Sequence, residues 1–199
     1  MTDARPMPEG PVLADQARAV SAYTTREKIG RVLWNYLGQP LMRCTFHNWY
    51  GLRRMILRAF GCNIAPDARV WPSVRIEQPW NLTLGPNSSI ADRAIIYCLG
   101  KVTIGANCSI SQYAHLCAGT HDHTRADLPL LRPPIIIEDE VWVAADAFIG
   151  PNVTIAQGCV IGARSTVFKS TKPWTIYAGN PAQPLKARVL TRAAGPAES

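Results

Sequence analysis

The stretch IEDEVWVAADAFIGPNVTIAQGCVIGARSTVFKSTK, residues 137 to 172, divides without remainder into sixes. Each six opens on an aliphatic residue: Ile137, Val143, Ile149, Ile155, Ile161 and Val167. A period of six fits neither the 3.6-residue turn of a helix nor simple strand alternation. It suits short strands joined by tight turns, one aliphatic side chain pointing inward from each.

The same spacing runs back through Ile64, Val70, Ile76, Leu84, Ile90, Ile96, Ile104, Ile110 and Leu116, which brings the total to fifteen hexads. Four residues after each aliphatic stands a mostly small side chain, as at Ala68, Ala94, Cys108, Ala147 and Ser165, with Trp80 the bulky exception. Three sides make one coil of 18 residues, so the expected fold is mainly β: a left-handed parallel β-helix of about five coils, roughly 24 Å tall at ~4.8 Å per strand. The coils begin at residues 64, 84, 104, 137 and 155. Extra residues follow the first three coils, at Leu82 and Thr83, at Val102 and Thr103, and over 122–136, all at one corner. Insertions at a single phase loop outward without breaking the ladders, and mark where the column meets solvent or a partner.

This framework divides the chain into a flexible tail (1–20), a helical N-terminal cap (21–61), the β-helix (62–172) with its extruded loop 122–136, a C-terminal segment packing along the column (173–191) and a disordered tail (192–199). Helices are expected near 25–37, ending around Gly38 and Pro40, and near 49–60, capped by Asn48 and closed by Gly61. In the second, Leu52, Met55, Ile56 and Ala59 share a face that would cover the open lower end of the column. Arg53, Arg54 and Arg58 lie elsewhere, on a side suited to an anionic membrane surface.

The net charge is +7, and between residues 20 and 60 seven Lys or Arg face one acid, Glu27. No recognised motif turns that charge into a nucleic-acid site. The six cysteines form no C-x-x-C pair, so reduced thiols are expected, with Cys108 and Cys159 as compact core residues. No apolar run reaches the ~20 residues of a membrane span, and the N-terminus is not built like a signal peptide. A cytoplasmic protein is expected, at the inner face of the membrane if the basic helix touches lipid.

His121 closes the third coil and the long loop leaves immediately after it. An imidazole held on a rigid coil beneath a loop is well placed to act as a general base. It could equally decorate a surface corner. Asp122 or a backbone carbonyl could hold the other ring nitrogen.

The hexads, the G-T-H-D segment 119–122, PPIIIEDEVWVAADAFIGPNVTI (133–155), IGARSTVFKS (161–170) and WTIYAGNPAQPLKAR (174–188) together resemble the left-handed β-helix acyltransferases. Within these the chain is most similar to the colanic-acid-biosynthesis type, and more distantly to the maltose, galactoside and nodulation acetyltransferases. The resemblance implies a homotrimer with active sites between subunits, acetyl-CoA as co-substrate, no metal, and a saccharide hydroxyl as acceptor. It maps the catalytic base onto His121; of the two groups that could hold the ring, Asp122 is the expected one. His123 is a rival base or a substrate contact, and Tyr97, Asp92 and Trp142 are further candidate acceptor contacts. Backbone groups near Ala145 and Ala163 would meet the pantetheine arm, and Lys169, Lys172, Lys186 and Arg188 the phosphates of CoA. The simple-sugar enzymes carry a glutamate in the loop where this chain reads ADLPLLRPP, and Asp127 could substitute.

Two other classes share such columns. A zinc hydro-lyase of the γ-type carbonic anhydrase kind needs three protein ligands. His115 and His121 could supply two, but the third histidine expected one or two coils earlier is missing, because His47 lies in the helical part. A non-catalytic trimeric scaffold would need neither the histidine nor the basic residues.

Overall fold

A computed structural model describes residues 23–125 and 127–191; the tails expected at 1–20 and 192–199 lie outside the described residues. Three parallel sheets wrap into five three-sided coils. The first face stacks Asn63–Ile64, Leu82–Leu84, Val102–Ile104, Ile135–Ile137 and Val153–Ile155. The second stacks Arg69–Val70, Ser89–Ile90, Ser109–Ile110, Trp142–Val143 and Val160–Ile161, and the third stacks Arg75–Ile76, Ile95–Tyr97, His115–Cys117, Phe148–Ile149 and Thr166–Val167. All fifteen hexad aliphatics point inward and are at most 5% exposed. From the second coil on, hexads turn at their fourth residue with positive φ, at Asn87, Arg93, Asn107, Tyr113, Glu140, Asp146, Asn152, Gly158 and Arg164. A left-handed backbone costs a non-glycine residue roughly 1–2 kcal/mol. Stacking offsets that cost, as where Asn87 Nδ2 donates to Asn107 Oδ1 at 2.9 Å.

The C-terminal segment adds a sixth level to the second face only. Thr175–Gly179 runs parallel to Val160–Ile161, and Ala182–Ala187 folds back antiparallel on it.

The lower end corrects the sequence reading. The first helical run does not stop at Gly38: Thr25–Leu33 is α-helical, Trp34–Gly38 is a π-turn, and Gln39–Arg43 continues as α-helix with Pro40 in its first turn. Proline lacks an N–H and clashes with the carbonyl four residues back. The π-turn absorbs both, since Gln39 N–H donates to Trp34 O. The second helix is Tyr50–Ala59, with Trp49 rather than Asn48 at its N-cap and no side-chain cap bond. Gly61 closes it at φ +84°.

The face of that helix turned to the column is also not the expected one. Leu52 and Met55 are exposed, at 38% and 64%, whereas Arg53 and Leu57 are fully buried. The first coil ends in backbone carbonyls that no strand among the described residues pairs from below, and the helices supply the donors. Arg58 donates to Ile64 O at 2.8 Å, Arg54 to Ala68 O at 3.0 Å, Arg53 Nε to Val70 O at 2.6 Å, Gln39 to Val74 O at 2.8 Å and Trp34 Nε1 to Ile76 O at 2.6 Å. Gln39 Oε1 also accepts from Ile76 N–H at 3.0 Å. The arginines read as a membrane-facing surface are a capping ring for the open edge.

A second set of contacts ties the first helix to the long loop. Thr24 and Glu27 form a capping box. Arg132, within the loop, donates to Glu27 Oε1 at 2.6 Å, and Arg31 donates to Glu77 at 2.8 Å. Arg31 and Arg132 both lie against the Tyr23 ring, at 4.2 and 4.5 Å.

Two expectations follow. Arg53 also donates to Thr45 Oγ1, Phe46 O and His47 O, each at 2.7 Å. Arg53→Ala strands the buried acceptors Val70 O and Thr45 Oγ1 and loses the two loop carbonyls, and should destabilise the protein by about 3–5 kcal/mol, read as a lower urea midpoint; an unchanged midpoint would refute the capping role. The Thr24 backbone N–H, helped by Arg132, holds the Glu27 carboxyl below its ordinary 4.5. Its stabilising contribution is therefore complete above about pH 4.5 and is lost as pH falls through the lower folded value. Between about pH 6 and pH 3, Glu27→Gln should show a flatter fall in melting temperature than the native chain.

Candidate active site

The loop after the third coil is a hairpin. Thr120–His121 pairs antiparallel with Leu130–Leu131, His121 opposite Leu130. His121 therefore sits on the first strand of this hairpin, not at a bare coil end. Its Nδ1 lies 2.6 Å from the carbonyl oxygen of Leu128. A carbonyl only accepts, so Nδ1 carries the proton and Nε2 keeps the lone pair. Leu128 presents that carbonyl from a left-handed conformation, φ +44°. Such a conformation in a leucine is strained and persists only where its surroundings hold it.

Asp122 does not orient His121. Its Oδ1 accepts from Thr124 N–H at 3.0 Å and Thr124 Oγ1 at 2.6 Å, closing a local turn, and these bonds hold its carboxyl below the usual carboxylate range. Asp127 is gripped by Arg125, at 2.9 and 2.7 Å, and so is engaged within the hairpin. His123 is exposed.

The other expected residues spread over the column. On the third face Tyr97 packs near the strand leading to His121, since a Cβ on Gly119 would lie 3.0 Å from the Tyr97 ring. Burial pushes the Tyr97 hydroxyl's pKa up. Next to it His115 is half-buried between Tyr97 and Phe148, with ring centroids 6.5 and 5.2 Å away, and burial, then Arg75, lowers its pKa. Among the described residues of the chain no three His, Cys, Asp or Glu side chains, His115 and His121 included, converge as metal ligands.

Ala145 and Ala163 lie at the corner between the second and third faces, where Arg164 N–H donates to Ala145 O at 2.9 Å. With Gln112, Tyr113, Asp146 and Arg164 they line a groove of about 390 Å³. Asp92 stacks on the same corner, its carbonyl accepting from Tyr113 N–H at 3.0 Å and its carboxylate from Ser73. Trp142 is half-exposed on the second face, its Nε1 donating to Ser111 Oγ at 2.9 Å. Lys169, Lys172 and Lys186 are exposed at the upper end. Arg188 is not free for a ligand. It donates to Glu140 O at 2.6 Å and Gly158 O at 3.0 Å and lies 5.9 Å from the Trp174 ring, pinning the C-terminal strand to the column.

One chain thus holds His121 at one edge of the third face and the Ala145 and Ala163 groove at the other edge. A further cavity of about 600 Å³ opens below His121 on its own corner, lined by Arg26, Glu27, Leu33, Phe60, Trp80 and Asn81. Trp80, the exception to the small-residue rule, stands in its wall because the helical cap packs there against the first coil. That cavity was not foreseen from sequence; a backbone carbonyl was one of the two partners expected for the His121 ring, though not which carbonyl.

Comparison with known proteins fits this geometry. The family model described as bacterial transferase hexapeptide (six repeats) matches residues 134–169. WcaF of Escherichia coli K12, whose name assigns it to acetyl transfer in colanic acid biosynthesis, is 44% identical over 142 residues, 71% of this chain and 78% of that protein. A maltose O-acetyltransferase from Clostridium difficile 630 superposes with a TM-score of 0.72 at 25% identity, covering 87% of this chain and 96% of that one. The hexapeptide-repeat acetyltransferase VCA0836 from Vibrio cholerae O1 biovar eltor, complexed with acetyl coenzyme A, gives a TM-score of 0.76 at 21% identity, covering 85% and 92%. The hexads, the corner insertions and this similarity place the chain in the hexapeptide-repeat transferase family, as an acyltransferase.

Proposed function

We propose that the protein moves an acetyl group from acetyl-CoA to a hydroxyl of a saccharide, an exopolysaccharide repeat unit or its lipid-linked precursor, with His121 as general base. The observation that carries this reading is the 2.6 Å contact between His121 Nδ1 and Leu128 O, which leaves Nε2 as the basic atom. The acceptor hydroxyl gives its proton to Nε2 as its oxygen attacks the thioester carbonyl. Collapse of the tetrahedral intermediate expels the CoA thiolate, which takes the proton back from the imidazolium. No acetyl-enzyme is needed.

The protein works as a homotrimer in this reading. The pantetheine arm lies in the Ala145 and Ala163 groove of one copy and reaches His121 of its neighbour, and exposed Lys169, Lys172 and Lys186 attract the phosphates. A sugar of the acceptor rests in the cavity beside Trp80, where an aromatic ring and the flanking Arg26, Glu27 and Asn81 offer stacking and hydrogen bonds. The enzyme acts in the cytoplasm, in peripheral contact with an anionic membrane.

Millimolar acetyl-CoA should raise the melting temperature, because a ligand of the native state stabilises by RT ln(1 + [L]/Kd). His121→Ala should keep that shift and lower kcat by about 10² to 10⁴. Asp122→Asn, which preserves the turn with Thr124, should change kcat by no more than a few-fold; a loss matching that of His121→Ala would restore Asp122 as the orienting group.

A further inference from the structure

The capping ring has turned the first helical run inside out. Its polar and bulky residues Arg31, Trp34, Gln39 and Met42 face the column. Its outer side carries Ile29, Val32, Leu33, Tyr36 and Leu37, spaced i, i+3, i+4, i+7 and i+8, then Leu41 after the extra residue of the π-turn. All six are exposed, from 48% to 83%. Phe46, Trp49, Leu52 and Met55 extend the apolar surface toward the second helix, so ten of the nineteen exposed large apolar side chains among the described residues fall between Ile29 and Met55. A continuous apolar stripe of this kind marks a surface with a partner.

We infer that this stripe docks on an anionic lipid surface. Exposed Arg26, Lys28 and Arg43 lie on the same helical run as the stripe, and Lys28 shares a shallow cleft with Ile29, Val32 and Leu33. Among the described residues the only acid on that run, Glu27, is bound to Arg132, and Glu77 beneath it is bound to Arg31. The same face of a second copy would set like charges against each other, whereas anionic headgroups neutralise them. Tyr36, Phe46 and Trp49 add aromatic rings of the kind that settle at headgroup depth. No helix of the described residues is long and apolar enough to cross a membrane, so the run lies in the interface plane. The inference deepens the membrane contact proposed above. It moves that contact from the arginines of the second helix, which cap the column, to the apolar stripe of the first.

The test is flotation of the full chain with phosphatidylcholine vesicles with and without phosphatidylglycerol. The native protein should float with the anionic vesicles, and Val32→Ser combined with Tyr36→Ser should weaken partitioning by about tenfold or more. The double variant should keep its melting temperature and its acetyl-CoA shift, so that lost flotation leaves the transferase reading untouched. Absence of flotation by the native chain, or flotation unchanged in the variant, would overturn the assignment. A smaller particle mass for the variant in light scattering would overturn it too, making the stripe an interface between copies.

Discussion

A stacked β-helix satisfies its backbone everywhere except at its ends, and the carbonyls of the first coil are the constraint on which the rest of this molecule depends. Five side chains from the preceding helices, Trp34, Gln39, Arg53, Arg54 and Arg58, meet five of those carbonyls at 2.6 to 3.0 Å. An unpaired buried carbonyl costs on the order of 1–3 kcal/mol, so leaving the ring open would consume much of a domain's net stability. Meeting it with polar side chains fixes which side of each helix faces the column, and sends apolar residues outward.

That inversion explains why the cap was the least legible part of the sequence. Helical-wheel reasoning assumes that the apolar face turns to the core, which holds when the core presents hydrocarbon. The end of a β-helix presents oxygen atoms, so Arg53 is buried while Met55 is exposed. Pro40 misled for a related reason, since it ends a regular helix but not one that has shifted its hydrogen bonds through a π-turn. The column was legible because each hexad makes one demand, a single aliphatic inward per side, and the sequence repeats it fifteen times. Positive φ at Arg93, Tyr113, Glu140 and Arg164 carried no residue-type signal; the stacked turn imposes it.

The site shows the same division. The place of His121 beside the long insertion marked it as a candidate, but position alone left a surface role equally open, and the resemblance of the G-T-H-D segment singled it out. A backbone carbonyl was one of the two partners expected for its ring, but which one was not legible: a carbonyl has no sequence signature, and Leu128 is not a residue that advertises a left-handed turn. Proximity in sequence favoured Asp122, but its short side chain is satisfied locally by Thr124. Arg188 lies close in sequence to the positions expected to meet CoA phosphates, and is held instead by Glu140 O and Gly158 O.

The central claim is that the imidazole of one copy works on a thioester held in the groove of another, because a single chain keeps them at opposite edges of its third face. The most direct test mixes two inactive variants, His121→Ala and the groove-blocking Ala163→Trp, by co-expression, and follows acetyl-CoA-dependent thiol release. The account predicts that mixed oligomers regain activity, since some interfaces pair an intact histidine with an intact groove. Activity that stays absent at every mixing ratio, with mixed oligomers verified by mass, would contradict it.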